Sequence, residues 1–247
     1  MNRPDKKIIV LREVESTNNY ASQLILSKAA DEGTLVLTQF QKSGRGQAGN
    51  RWESEAGKNM LATIILYPQF LFAGKQFMLS KIVSLSLVGF LKNKTDDVSI
   101  KWPNDIYVGN KKIAGILIEN SIKGSTLFSS LLGIGLNLNQ QIFLSDAPNP
   151  VSLQQITGVE YDIETVAVEI LEIIFEWYRK IETGNFYEVD FAYFSHLFRG
   201  GEWAKYSKNG NVFEAKIIGI GEFGQLQLEN RDEAVEEFMF KEIEFVI

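Results

Sequence analysis

The chain has 247 residues, of which 45% are hydrophobic and 23% charged, and 25 basic against 31 acidic side chains give a net charge of −6. This composition excludes collagen-like, coiled-coil and wholly disordered chains, and the excess of acid argues against non-specific nucleic-acid binding, which needs a basic surface. The chain has no cysteine and one histidine, His196, which excludes cysteine nucleophiles, thiolate metal sites and sites built from several histidines.

The spacing of apolar residues predicts alternating strands and helices in the first part of the chain. In chain order we expect a strand at 8–11, a helix capped at 16–18 and ended by the glycine at 33, strands at 34–40 and 60–67, and a helix at 75–92. A polar, glycine-rich stretch from 41 to 59 separates two of these strands.

The middle of the chain is typical of a β-meander, and its end contains short strands only. We expect strands at 98–102, 106–108, 113–119 and 126–138, then helices at 162–181 and 185–198, and finally strands at 212–220, 225–228 and 238–246. At about 150 residues per domain, the length suits one large and one small domain. The change of pattern near Arg199 predicts a domain at 1–198 and a small all-β domain at 199–247.

Two features indicate where the protein works. The first ten residues lack the apolar core of a signal peptide, and no apolar run approaches the roughly 20 residues that a membrane helix needs. We therefore expect a soluble, cytoplasmic protein.

The glycine-rich loop has three interpretations. Residues 44–49 match G-x-G-x-x-G, but the residues after them have no apolar helical face, so the context argues against a dinucleotide site. The loop is either a surface hairpin or, as we favour, a segment that folds over an anionic ligand, because Arg45 and Arg51 bracket small residues with accessible amides. A phosphate-binding P-loop is excluded at Asn59, where that motif needs a serine or threonine.

The sequence KWPND at 101–105 places a cation, an indole, a turn and an acid close together. One interpretation is a turn beside a core tryptophan. The other is a site where Lys101 and Lys112, which lies across the hairpin, concentrate positive charge for a carboxylate and a phosphate, while Asp105 balances that charge or helps to hold Mg²⁺ through phosphate and water.

Five motifs follow one another along the chain: ESTN at 15–18, QKSGRGQAGNRW at 41–52, KWPNDIYV at 101–108, KKIAGILIE at 111–119 and GIGLNLN at 133–139. They occur in the order found in biotin–protein ligases. The chain therefore resembles this family over about 14–139, and the module after Gly200 resembles its C-terminal SH3-like domain. The resemblance implies an α+β fold, with a mixed β-sheet catalytic domain of the class II aminoacyl-tRNA synthetase/biotin ligase type, helices on one side of the sheet, and a small SH3-like β-barrel.

The resemblance also implies a two-step ATP-dependent reaction. The carboxylate of biotin attacks the α-phosphate of ATP, in the presence of Mg²⁺, to give biotinyl-5′-AMP and pyrophosphate. A lysine ε-amine of a biotin carboxyl carrier domain then attacks the mixed anhydride. The residue types suit this chemistry independently of the resemblance. Two anions must be brought together, and cations with backbone amides can stabilise the negative charge.

The family's functional residues are carried over by motif. The implied catalytic residues are Arg45, Lys112 and Lys101. The implied contacts to biotin are Ser16, Thr17, Asn18, Gln41, Arg45, Gly46, Gln47, Lys112 and Gly115. The implied contacts to ATP are Arg51, Trp52, Asn104 and Asn137, and Asp105 is the implied Mg²⁺ residue. Residues 16–18 also suit a plain helix cap, and Trp52 a plain loop anchor.

Two rival functions stay open. A lipoate–protein ligase shares the fold and the adenylation chemistry, and a non-catalytic biotin or nucleotide sensor belongs to another class. A cysteine-dependent octanoyl transferase is excluded by composition. The first motif begins at Glu15, so we expect no N-terminal DNA-binding domain, and the family also suggests a homodimer formed through sheet edges.

Overall fold

A computed structural model describes residues 7–144 and 149–246; the first six residues, on which part of the signal-peptide prediction rests, lie outside this range. The first sheet contains β1 (Ile8–Leu11), β2 (Leu35–Thr38), β3 (Met60–Leu66), β4 (Val98–Lys101), β5 (Asp105–Val108), β6 (Lys111–Lys123) and β7 (Thr126–Leu136). The helices are α1 (Thr17–Leu26), α2 (Phe77–Lys92), α3 (Leu153–Thr157), α4 (Ile163–Glu182) and α5 (Phe186–Ser195). The second sheet contains β8 (Trp203–Lys208), β9 (Asn211–Ile220), β10 (Leu226–Glu229), β11 (Val235–Phe238) and β12 (Glu244–Phe245).

The first sheet is mixed, which confirms the predicted α+β class. Its strand order is β1-β2-β3-β7-β6-β5-β4, with β1 parallel to β2 and the other neighbours antiparallel. The four strands β4 to β7 form the predicted meander, and β7 returns to the middle of the sheet to pair with β3. The two longest strands, β6 and β7, therefore meet near the centre.

Helices cover both faces of this sheet, so the prediction of helices on one side is wrong. Side chains alternate along a strand: Leu35 and Leu37 belong to the large core that contains α2 and α4, whereas Val36 packs with Ala21 of α1 on the other face. Helix α1 is ten residues long and covers only part of this second face of the sheet. The uncovered remainder of that face is where the candidate site lies.

Local capping signals in the sequence explain where helices α3 and α4 begin. The short α3, which the sequence analysis missed, begins with a capping box between Ser152 and Gln155 and ends at Gly158 in the left-handed conformation. The long α4 begins at Asp162, whose carboxylate accepts a hydrogen bond from the amide of Thr165 at 2.8 Å.

The second sheet is antiparallel, in the order β11-β10-β9-β8-β12. The sequence pattern does not predict β8, because Tyr206 is its only buried residue and the strand shows no alternation of apolar and polar residues. The single strand predicted at 238–246 is wrong: β11 and β12 lie on either side of a turn in which Lys241 has φ of 71°. The sheet's edge strands β11 and β12 do not pair within the described residues, so closure into a barrel stays a prediction.

The two sheets share one hydrophobic core. Ile217 and Leu226 of the second sheet belong to the same buried cluster as Ile100 and Trp102. The indole Nε1 of Trp102 donates a hydrogen bond to the carbonyl of Gly224 at 2.8 Å. The chain changes sheets between α5 and β8, close to the predicted boundary, but independent domains at 1–198 and 199–247 stay a prediction.

None of the described helices combines the length and the apolar character that spanning a membrane requires.

Candidate active site

A cavity of about 820 Å³ opens on the α1 face of the first sheet. Its walls come from the start of α1, the loop at 41–52, strands β5 to β7 and the segment at 240–245 of the second sheet. Every site residue predicted from the sequence lines this cavity except Asn137. We call it the candidate cavity.

The start of α1 is held against the loop by Gln41. Its Oε1 accepts hydrogen bonds from the amide of Thr17 at 2.8 Å and from the Thr17 hydroxyl at 3.1 Å. Ser16 stands at the N-cap position but makes no side-chain cap. The helix cap is therefore supplied by Gln41, and the Ser16 hydroxyl, which is buried against the cavity, is not used as one.

Asn18 is fixed by bonds at both ends of its amide. Its Nδ2 donates to the carbonyl of Leu117 at 3.3 Å and to Oε2 of Glu119 at 2.7 Å, while its Oδ1 accepts from the Thr63 hydroxyl at 2.6 Å. A Cβ at Gly133 would lie 2.6 Å from Oδ1 of Asn18. The first glycine of GIGLNLN is therefore needed for Asn18 to lie on the sheet.

Trp52 lies flat on a platform of two other glycines. Gly115 and Gly135 face each other across β6 and β7, and a Cβ on them would lie 2.8 and 2.4 Å from indole carbons of Trp52. The indole Nε1 is buried and has no hydrogen-bond partner. The small residues at these two positions admit the chain's own indole.

The loop itself is a closed hairpin. The amide of Trp52 donates to the carbonyl of Gly44 at 3.0 Å, and that of Gly46 to the carbonyl of Asn50 at 2.7 Å. Arg45 and Arg51 face each other across it. No α-helix begins where the dinucleotide-binding motif requires one: a 3-10 helix of three residues, Gln47–Gly49, is followed by an irregular segment that leads into β3.

Two lysines and a carboxylate form the charged part of the cavity. Lys112 Nζ lies 2.7 Å from Oδ1 of Asp105, with side chains 23% and 19% exposed, and it lies 5.6 Å from the centre of the Trp52 ring. Lys101 Nζ donates to the hydroxyl of Tyr107 at 3.3 Å. Asp105 thus balances the charge of Lys112, as one of the two predicted alternatives stated.

Burial shapes the protonation of this region. It lowers the pKa of Lys101; nearby Asp105 opposes this effect, and Lys112 and Arg199 add to it. Burial also raises the pKa of Tyr107 to about 12, and Asp105 raises it further. Because removing a charge from water favours the neutral form, burial lowers the pKa of Lys101, and an anion entering the cavity would raise it again by favouring the charged form.

Two predicted ATP contacts have structural roles. Asn104 is tied to β6, since its Nδ2 donates to the carbonyl of Ile116 at 3.0 Å and its own carbonyl accepts from the Ile116 amide at 2.9 Å. Asn137 is buried behind the cavity wall, where Nδ2 donates to the carbonyl of Val151 at 3.2 Å and Oδ1 has no partner. Contacts of both residues with a nucleotide stay predictions.

The site contains several residues that the sequence does not predict. The additional polar, aromatic and apolar residues that line the cavity include Tyr107, Asn110, Asn149, Phe240, Lys241, Ile243, Glu244 and Phe245. No local signal in the sequence indicates the last five, which tertiary packing brings to the site. Glu119 was also missed, although its even spacing from Gly115 and Leu117 places it on the same face of β6.

In the part of the chain that the structure describes, no group of three histidine, aspartate or glutamate side chains is arranged to hold a metal ion. The described carboxylates that line the cavity are Asp105 and Glu244. Any ion here would take most of its ligands from a bound molecule and from water.

Comparisons with known proteins agree with this geometry. The model of the biotin/lipoate A/B protein ligase family matches residues 10–137. The biotin–[acetyl-CoA-carboxylase] ligase of Paracoccus denitrificans is 30% identical over 199 residues, covering 78% of this chain and 82% of that protein. The bifunctional ligase/repressor BirA of Bacillus subtilis is 29% identical over 230 residues, covering 91% of this chain and 70% of that protein. The solved biotin protein ligase of Aquifex aeolicus in complex with biotin and ATP superposes with a TM-score of 0.80 and 27% identity, covering 98% and 99% of the two chains.

Proposed function

Because the chain belongs to the biotin/lipoate A/B protein ligase family, we propose that the candidate cavity activates biotin with ATP and transfers the biotinyl group to a lysine of a biotin carboxyl carrier domain. The proposal rests on the order in which polar, aromatic and charged side chains lie along the first sheet. Asn18 lies over Gly133, Trp52 over Gly135, and the Lys112–Asp105 pair beside them. A hydrogen-bonding end and a cationic end therefore share one cavity under one loop.

The first half-reaction joins two anions. A carboxylate oxygen of biotin forms a bond to the α-phosphorus of ATP, and the bond to the β-phosphate oxygen breaks, so that pyrophosphate leaves with the electron pair. In this proposal Lys112, Lys101 and Arg45 stabilise the charge that develops on the phosphate oxygens. The amide of Gln47 and the side chain of Arg51 add to this anion-binding surface, and Trp52 offers its outer face to the adenine ring. The amide of Gly46 donates to the Asn50 carbonyl within the hairpin, so its predicted contact with the ligand requires that bond to open.

The second half-reaction needs no nucleophile from this chain. The neutral ε-amine of the carrier lysine attacks the carbonyl carbon of the mixed anhydride, AMP leaves with the electron pair, and a proton is lost from the amine. The same cations stabilise the departing phosphate. This agrees with a chain that has no cysteine and a single histidine.

The hydrogen bonds of Asn18 support biotin over lipoate. Both hydrogens of its amide are used inside the protein, and one lone pair of Oδ1 is left for a ligand. That lone pair requires a donor, which the cyclic urea of biotin has in its N–H groups and the dithiolane ring of lipoate does not. A ligand without a hydrogen-bond donor would leave this lone pair of Asn18 without a partner, and water can hardly reach it there because Asn18 is almost fully buried.

We propose that Mg²⁺ enters with ATP. The residues present suit such an ion, because Mg²⁺ usually keeps several waters and binds through substrate phosphates with one or two carboxylates. In this proposal Asp105 helps to hold the ion through phosphate and water, and when bound the ion would neutralise phosphate charge. We also propose a cytoplasmic location and no binding to DNA, from the composition and the net charge of −6, and a homodimer, from the family resemblance.

The test is adenylate formation. The protein is incubated with ATP, MgCl₂ and either biotin or lipoate, and the acyl-adenylate is sought by mass spectrometry while pyrophosphate release is followed. We expect biotinyl-AMP, and transfer to a purified biotin carboxyl carrier domain on its addition. A lipoyl product without a biotinyl one would overturn the choice of substrate, and ligand binding without pyrophosphate release would favour the sensor.

A further inference from the structure

Glu119 lies on β6 on the same face as Gly115 and Leu117. One oxygen of its carboxylate, Oε2, accepts a hydrogen bond from Nδ2 of Asn18 and another from Nη2 of Arg45, each at 2.7 Å. Both donors line the candidate cavity, and Glu119 is not among the lining residues. A single oxygen therefore connects α1, the loop and β6 behind the cavity wall.

The first consequence concerns which end of the Asn18 amide faces the cavity. Asn18 is 3% exposed, and its orientation is set by the 2.7 Å bond to Glu119, the 3.3 Å bond to the Leu117 carbonyl and the bond from Thr63. A charged acceptor makes the strongest hydrogen bonds of this kind. Without Glu119, Nδ2 keeps only the long bond to Leu117, and the flipped amide, which would present hydrogens to the ligand, becomes competitive.

The second consequence concerns Arg45. The Arg45 and Glu119 side chains are 41% and 37% exposed, and an ion pair in such a position contributes little to folding stability. Its effect is geometric, because it holds the guanidinium over the cavity before an anion has bound. The pair also neutralises a carboxylate that would otherwise repel an anionic ligand.

We propose that Glu119 is a positioning residue for adenylate formation. It holds the Asn18 oxygen toward the cyclic urea of biotin and holds Arg45 over the reacting carboxylate, and it contacts neither group of the ligand itself. The inference rests on the proposed function of the cavity.

The test compares Glu119→Ala, Glu119→Gln and Glu119→Asp with a matched control. Glu13 forms an ion pair of 2.6 Å with Lys42 of the same loop, and neither residue lines the cavity, so Glu13→Gln removes a similar pair outside the site. For each variant the KM for biotin, the KM for ATP and kcat are measured by pyrophosphate release, together with the melting temperature.

We expect Glu119→Ala to raise the KM for biotin about tenfold or more, because Asn18 and Arg45 contact biotin, and to lower kcat, because Arg45 also stabilises the phosphate charge of the transition state. The KM for ATP should change less than about threefold, because that charge develops only after ATP has bound. Glu119→Gln should recover most of this loss, because its amide oxygen can accept the same two bonds. Glu119→Asp should not, because its side chain is one methylene shorter. Glu13→Gln should match the wild type.

Three results would overturn the inference. One is a folded Glu119→Ala protein whose KM for biotin stays within about twofold of the wild type. Another is a Glu119→Asp protein that performs as well as Glu119→Gln, and this comparison decides the matter even if Glu119→Ala does not fold. A wild-type protein that forms no biotinyl-AMP would instead overturn the proposed function, and this inference with it.

Discussion

Lys101 carries a charge at a position where burial disfavours it. Its pKa is lowered by burial, against the effect of Asp105, and its ammonium group contacts the ring of Tyr107 at 5.1 Å. A buried ammonium group of this kind should bind an incoming phosphate favourably, because the phosphate oxygens replace the water that burial removed. The burial of Lys101 therefore indicates a role in ligand binding and not in the stability of the fold.

The pH dependence of activity should report this residue. Lys101 loses its proton as the pH rises through its folded pKa, which lies below the ordinary value of 10.5. As the pH is raised, adenylate formation should therefore begin to fall before the pH reaches 10.5. In Lys101→Arg the charge persists, and the alkaline limb of kcat/KM for ATP should move to higher pH. The exposed neighbour Lys111 offers a control, since Lys111→Arg should leave the limb in place. An unmoved limb in Lys101→Arg would contradict the assignment.

Lys112 should be needed for chemistry and also for the local fold. Lys112→Ala should lower the rate of adenylate formation by about 10²-fold or more, as removal of a preorganised cation does. It should also lower the free energy of unfolding by about 1 to 3 kcal/mol, because Asp105 is left half-buried without its partner. Adding Asp105→Asn should restore stability but not activity, as measured by thermal unfolding and pyrophosphate release. Activity that returns with stability would show that Lys112 is structural.

At the scale of elements, the loop and the β6–β7 pair form one unit. Gly115 of KKIAGILIE and Gly135 of GIGLNLN leave space on the sheet, and the loop fills that space with Trp52. The indole anchors the loop with its inner face, and the residue also lines the cavity, while its contact with ATP stays a prediction. Gly115 and Gly135 act through this contact with Trp52.

Gly135→Ala should disturb the site without disturbing the strand. The added Cβ would lie 2.4 Å from the Trp52 indole, so the ring must move outward, and the KM for ATP should rise about tenfold while the fold is retained. Gly89→Ala in α2 is the matched control, because its nearest neighbour, Ile173, would be 4.0 Å away. Steady-state kinetics with varied ATP measure the effect, and an unchanged KM in Gly135→Ala would refute the platform.

At the scale of the whole molecule, the second sheet completes the cavity. Trp102 of the KWPND turn donates to the Gly224 carbonyl and its ring packs against Phe240 at 6.5 Å between centroids. Phe240 in turn lines the cavity together with four other residues of the 240–245 segment. The predicted interpretation of Trp102 as a core residue is confirmed, since it is 5% exposed, and the core in question is the one that joins the two sheets.

Trp102→Phe should lower the stability of the molecule as one unit. The Gly224 carbonyl loses its buried donor, which costs about 1 to 3 kcal/mol, equivalent to a fall in melting temperature of roughly 2 to 12 °C for a chain of this size. Because the hydrophobic cluster runs through both sheets, we expect a single transition in differential scanning calorimetry. Trp203→Phe, at a residue that is 38% exposed, serves as the control. Two separate transitions would show instead that the second sheet unfolds by itself.

The sequence by itself determined the elements and motifs whose causes are local. The meander at 98–136 and the helices at 77–92 and 163–182 follow from hydrophobic spacing, since a strongly periodic pattern buries one face whatever its partner. Motif order indicated the family, and the residues carried over from it came together around one cavity, with Asn137 behind its wall.

Only the tertiary structure decided how these parts act on one another. The placement of α1 on the second face, the contact of Trp52 with Gly135, the bonds of Glu119 and the wall formed by 240–245 join residues far apart in the chain. Side-chain alternation along a strand predicts on which face of the sheet each residue lies, but it does not predict which element covers that face. Long-range packing decides this, and in this protein it brings the loop, the glycines of β6 and β7 and a segment of the second sheet together in one site.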